Sequence, residues 1–207
     1  MYLILVIVII FVSLLTSELL WRKKLVSAET SRKLVHIVSG VAVAFLPYYV
    51  DYDYITALSL VFIIVLFLSS RFKLFKSIKQ VKRRSIGEYT FALVILVCSL
   101  TSPPSYVFTI AILNLALADG FAALIGEKYG KKTRYKVFNN QKSLVGSATF
   151  LIVSLLILTS ASVLGVIAFS YLLVLMVILL LIAENIFSHG VDNLIIPVIV
   201  VVFLTNL

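Results

Sequence analysis

An all-α integral membrane protein with about seven or eight transmembrane helices is what this sequence predicts, and three observations carry that reading. Hydrophobic residues fill 62% of 207 positions and charged residues only 13%, and the mean hydropathy is +1.15, far from the balance of a soluble domain. Apolar runs recur from residue 2 to residue 205 with no polar stretch longer than about 15 residues, so residues 1–207 read as a single transmembrane domain. The third observation is where the positive charge falls. All 18 Lys and Arg lie in three segments, five in 22–33, seven in 71–84 and six in 128–142.

Two apolar stretches separate each basic segment from the next, which is the pattern the positive-inside rule produces. The basic loops at 22–33, 71–85 and 127–143 are therefore expected on the cytoplasmic side of a cell membrane. The net charge of +9 is then first a topology signal, and nucleic acid is not an expected partner.

Spans are predicted near 2–21, 34–50, 54–70, 86–101, 106–126, 144–161, 163–183 and 194–205. The opening "MYLILVIVIIFVSLLTSELLW" has no basic n-region and no small-residue cleavage site, and it reads as a retained span. Outer turns fall at "VDYD" (50–53), at "TSPPS" (101–105), where paired prolines stop a helix, and near 159–162. The second, fourth and last spans are short for a hydrocarbon core about 30 Å thick. Cys98, the single cysteine, sits in an apolar run as packing, so neither an intrachain disulfide nor a thiolate metal cluster is expected.

With that topology the remaining polar residues gather at one depth. Arg32, Lys33 and His36 open the second span and Glu88 the fourth. Glu184 and Asn185 close the seventh, and "HGVDN" (189–193) follows. Asp119 lies seven residues before the cytoplasmic end of the fifth span, about 10 Å deep. An acidic residue in a span costs about 2.5 to 3.5 kcal/mol on insertion scales and needs a partner. Ala123 and Gly126, on its helical face, let another helix or a ligand come close. The residues leave two readings open, a structural pair with Arg or Lys and a site for a divalent metal or proton.

The loop at 126–147 adds Lys131, Lys132, Arg134, Lys136 and Lys142 beside glycines, a composition suited to polyphosphate or, equally, to anionic lipid heads. It is not a P-loop: "GEKYGKKT" has three residues between its glycines instead of four and leaves a helix instead of a strand. The run "RFKLFKSIKQVKRR" (71–84) reads as an interfacial amphipathic helix. His36 stands one helical turn from Lys33 and Arg32, and two nearby cations favour a neutral, hydrogen-bonding role. His189 has no histidine companions, and no Cys/His spacing suits zinc.

Taken in order, "SRKLVHIVSG", "RRSIGEYTFAL", "LADGFAALIGEKYGKK", "NNQKSLVGSATF" and "AENIFSHGVDNLIIP" resemble the polyprenol kinase family, which includes dolichol, phytol and geranylgeraniol kinases. The likeness runs from about residue 31 to 197. Its most specific block, the Asp119-Gly120 pair with the following basic loop and Lys-Ser-x-x-Gly-Ser, is also similar to CDP-diacylglycerol synthases. The resemblance implies a nucleoside triphosphate, CTP or ATP, as co-substrate, Mg2+ as cofactor and a lipid alcohol as acceptor. It implies Asp119 as magnesium ligand, with Asp192 and Glu184 completing the acidic set, and Asn193 within the closing motif. Lys131, Lys132, Arg134, Lys142, Ser143 and Gly146 would hold the nucleotide. Glu88, with His36, would orient or deprotonate the alcohol. One departure stands out: the family commonly has Glu where this chain has Val145. The alternatives are a cytidylyltransferase making a CDP-lipid and a transporter using Asp119 and Glu184 as translocation carboxylates.

Overall fold

The computed structural model describes residues 1–72, 87–138, 140–187 and 190–207. The helix expected over 71–84 falls almost wholly outside them, as do Asn139 and His189. Four helical segments are long and apolar enough to cross a membrane: Tyr2–Arg22, Tyr52–Ser69, Ser105–Thr133 and Leu144–Val163. Shorter apolar helices cover Tyr89–Leu100, Tyr171–Ile186 and Val191–Thr205.

Helix α1 (Tyr2–Arg22) packs along α2 (Ala28–Ala44). The second helix starts six residues earlier than the span expected at 34–50, because Ser27 caps it, its side chain accepting from the Thr30 N–H at 3.0 Å. Two buried serines join the pair. Ser17 Oγ donates to the Ser31 carbonyl at 2.9 Å and Ser31 Oγ to that of Ser17 at 3.0 Å. Such interhelical bonds average about 0.6 kcal/mol in lipid, so they fix register more than they add stability.

Helix α3 (Tyr52–Phe72) pairs with α4 (Gly87–Leu100), and Thr56 meets Ser99 at 2.8 Å between them. Pro103 and Pro104 break the chain before α5 (Ser105–Leu113). Thr109 Oγ1 then donates to the Ala44 carbonyl at 2.8 Å, satisfying one of the acceptors that the end of α2 leaves open.

The chain continues through a π-helical turn, Asn114–Asp119, into α6 (Gly120–Tyr129). This central segment is the core of the molecule: 67% of its most apolar window is buried, against 11% to 28% for the other three long helices. It packs against α2, against α7 (Leu144–Val163) and against α9 (Val191–Thr205). The approach to α2 is close enough to require small residues. A Cβ on Gly40 would overlap that of Ala116, and one on Gly120 would overlap Ile37.

Between α6 and α7 the basic loop folds into a hairpin that the sequence reading did not include. A short turn, Gly130–Thr133, leads to β1 (Arg134–Val137) and β2 (Asn140–Ser143), antiparallel with Tyr135 opposite Lys142. Ser143 caps α7 by accepting from the Gly146 N–H at 3.1 Å. Helix α8 (Tyr171–Ile186) also departs from its expected span of 163–183, since residues 164–170 are non-helical and Ser170 caps its start. In α9, Pro197 sits buried inside the helix.

Gly40→Val should force α2 away from the π turn and cost about 1 to 3 kcal/mol. Thermal unfolding in detergent should show a lowered Tm against the wild-type protein.

Candidate active site

Buried ionic groups need partners, and the polar residues at this end of the helices supply them across segments. Lys33 Nζ on α2 donates to Asp119 Oδ2 at 2.5 Å, and His36 Nε2 lies 3.7 Å from the same oxygen. Asp119 is only 4% exposed and Lys33 5%. The π turn provides the remaining contact, because His36 Nε2 lies 3.2 Å from the Leu115 carbonyl. A carbonyl only accepts, so Nε2 carries the proton and, in the neutral ring, Nδ1 is left as an acceptor. Single π turns inside α-helices are often found at functional sites.

The hairpin builds the second ion pair. Cross-strand partners point to the same face, so Tyr135 and Lys142 both reach the end of α8. Tyr135 bonds Ser147 Oγ at 2.7 Å and also bonds Asn185 Oδ1, which accepts from Ser147 at 3.1 Å. Lys142 Nζ donates to Glu184 Oε1 at 2.6 Å. Asn140 Nδ2 adds a bond to the Ile186 carbonyl at 2.9 Å. Glu184 is 5% exposed, and its Oε2 is buried with no hydrogen-bond partner among the described residues.

Helix α9 brings the third carboxylate. Asp192 Oδ1 accepts from the Asn193 N–H at 3.1 Å, and Asn193 Nδ2 donates to the Gly87 carbonyl at 2.9 Å. Gly190 has φ +101°, and a Cβ there would sit 2.7 Å from Gly87. Only glycine combines that left-handed backbone with so close an approach. Asp192 interacts electrostatically with Asp119, Lys33 and Lys142, and Glu184 with Asp119 and Asp192. Three carboxylates and two lysines thus lie within range of one another's charge, Asp119 and Glu184 each in its own ion pair.

The structure therefore brings together Lys33, His36, Asp119, Lys142, Glu184 and Asp192, with Gly120, Ser143, Gly146 and Asn193 as close-packed or capping support. Arg32 lies at the edge, its Nη2 bonded to Glu29 at 2.5 Å. Lys131, Lys132 and Arg134 stand exposed on the turn and on the outward face of β1. Glu88 is the second residue of α4, and its side chain lies outside the described part of the structure. Among the described residues, no group of three or more His, Cys, Asp or Glu side chains is placed to hold a metal ion. Tyr135 and Ser147 were not singled out by the sequence. The alternation of Arg134-Tyr135-Lys136-Val137 at the period of a strand is the one signal that points to the hairpin.

Lys33→Met should strand a buried carboxylate and lose about 3 to 5 kcal/mol, while Lys33→Met with Asp119→Leu should recover most of the loss. Thermal unfolding of the two single variants and the double variant checks this.

No family model and no solved structure matches the chain. A curated phytol kinase from Synechocystis sp. (strain ATCC 27184 / PCC 6803 / Kazusa) is 34% identical over 197 residues, covering 88% of this chain and 81% of the relative. On that identity and coverage, the chain belongs to the polyprenol kinase family, phytol kinases included.

Proposed function

We propose that this protein transfers the γ-phosphate of a nucleoside triphosphate, CTP or ATP, to the hydroxyl of an isoprenoid alcohol such as geranylgeraniol, phytol or dolichol. The observation that carries the reading is the 34% identity to a phytol kinase over 88% of the chain. The cluster supports it, because phosphoryl transfer is mostly positioning and charge neutralisation. In the reaction the alcohol oxygen forms a bond to the γ-phosphorus, the bond from that phosphorus to the β–γ bridging oxygen breaks, and a nucleoside diphosphate leaves. His36, with its acceptor Nδ1, and Glu88, which heads α4, are the residues we assign to orient the hydroxyl and take its proton.

Buried Lys33 and half-buried Lys142, each paired with a carboxylate, are the cations of the cluster that we assign to phosphate oxygens. Exposed Lys131, Lys132 and Arg134 would guide the nucleotide to the hairpin and bind its outer phosphates. Ser143 and Gly146 hold the turn that carries Lys142 into place. Glu184 Oε2, buried with no hydrogen-bond partner among the described residues, is the oxygen we assign to a magnesium ion. Asp119, Asp192 and Glu184 are the candidate ligands; because no three such side chains converge on one point among the described residues, the ion would take one or two of them and complete its shell with phosphate oxygens and water, the mixed ligation typical of this ion. When bound, the ion neutralises charge on the transferring phosphate. Val145, where the family commonly has Glu, begins α7 beside this set, and Glu184 or Asp192 would take over that acidic role.

Among the described residues, the basic segments at 22–33 and 128–142 share one end of the helices with the cluster, and we assign that end to the cytoplasmic face of a cell membrane. In this reading all eight helical passes of the described chain cross the bilayer as one domain, the short ones with local thinning.

Purified protein given CTP or ATP labelled at the γ position should place label on an isoprenoid alcohol, and Asp119→Asn should lower that rate by at least about a hundredfold, equivalent to ~2.7 kcal/mol. Label reaching lipid only from the α position would establish a cytidylyltransferase instead. In a Cys98→Ser background, an impermeant thiol reagent should modify Lys136→Cys only from the cytoplasmic side and Tyr49→Cys only from outside. The reverse pattern would invert the topology.

A further inference from the structure

A second feature lies against the cluster. The α1–α2 pair and the α3–α4 pair leave between them a narrow groove with a free volume of about 40 Å³, room for a hydroxyl and the first carbons of a chain. Leu14, Val35, Phe62 and Phe91 make its apolar walls, and Arg32 and His36 stand at its polar end. Leu14 and Phe62 are half-buried and belong to the two candidate membrane spans that pack least within the protein. Leu14 and Phe62 thus place part of the groove's wall on the two long helices that are least covered by the rest of the chain.

Ser39 also lines it. This residue is 2% exposed, and its Oγ has no hydrogen-bond partner among the described residues. An unsatisfied buried hydroxyl is unfavourable and calls for a ligand that brings its own polar group. Ser39 follows His36 by three positions on α2, so both occupy one helical face. His36 in turn lies 3.7 Å from the Asp119 carboxylate that Lys33 holds.

We propose that this groove is the acceptor site, with the hydroxyl of the isoprenoid alcohol seated between Ser39 Oγ and His36 and its chain leaving past Phe62 and Leu14 into the bilayer. The assignment rests on the alcohol-kinase reading for the identity of the ligand. A ligand with one polar end and an apolar remainder matches the groove. Its single hydroxyl satisfies Ser39, and its chain needs no polar contact along walls that offer none. Recognition then falls on the hydroxyl and the first part of the chain, because only that part is enclosed. An acyl chain of an ordinary phospholipid would fill the walls but leave Ser39 unsatisfied.

Two measurements test it. Ser39→Ala, which removes the proposed hydrogen bond, and Leu14→Trp, which narrows the opening, should each raise KM for geranylgeraniol about tenfold, equivalent to ~1.4 kcal/mol, with KM for the nucleotide unchanged. Unaltered KM for the alcohol in both variants of an active enzyme overturns the groove and leaves the kinase reading standing. Photolabelling of the unaltered protein without nucleotide, using geranylgeraniol with a diazirine in its chain, should mark α1 and α3 near Leu14 and Phe62, and excess geranylgeraniol should suppress it. That result supports the groove even if no phosphorylated alcohol forms, in which case the kinase reading alone fails. Labelling elsewhere, or labelling suppressed by phospholipid and not by geranylgeraniol, overturns the proposal.

Discussion

The ion pair between Lys33 and Asp119 governs the arrangement around it, because neither charge is tolerable alone in an apolar interior. Holding Nζ and Oδ2 at 2.5 Å presses α2 against the central segment over several turns. That contact leaves no room for a Cβ at Gly40 or Gly120. It also sets His36 beside the Leu115 carbonyl, where the wider π turn leaves the backbone accessible. The pair, the two glycines and the irregular turn are one solution to a single problem, a carboxylate placed inside a bundle of apolar helices.

A second ion pair repeats the device with different parts. Lys142 reaches Glu184 from a hairpin, and the hairpin is anchored by Tyr135, Ser147 and Asn185. Both pairs join segments far apart in sequence, so each lysine fixes the position of a helix end as well as the charge of a carboxylate. Asp192, on α9, has electrostatic contact with both lysines and a direct pair with neither. The cluster is therefore acidic in balance.

Much of this was legible in the sequence, and the reasons differ by residue. Three basic segments separated by pairs of apolar runs placed Asp119, Glu184 and Asp192 at one depth, because the insertion rule depends only on charge and order. Asp119 has the lysine partner that one of its two readings required. What the sequence did not reveal depends on tertiary contacts. Four-residue strands such as Arg134–Val137 carry too little pattern to stand out within a basic loop. The start of α2 turned on one capping serine, and a hydropathy window is blind to caps. The serine pair between α1 and α2 follows from a register that only packing determines.

Pro197 has a consequence at the same end of the molecule. A proline has no N–H, so the carbonyl four residues earlier, that of Asn193, loses its partner within the helix. Asn193 adjoins Asp192 and ties α9 to Gly87. The carboxylates of Asp119, Glu184 and Asp192 are acceptors that can gain or lose a proton. A backbone oxygen cannot, so the first turn of α9 contributes a lone pair whose strength is the same in acid and in alkali.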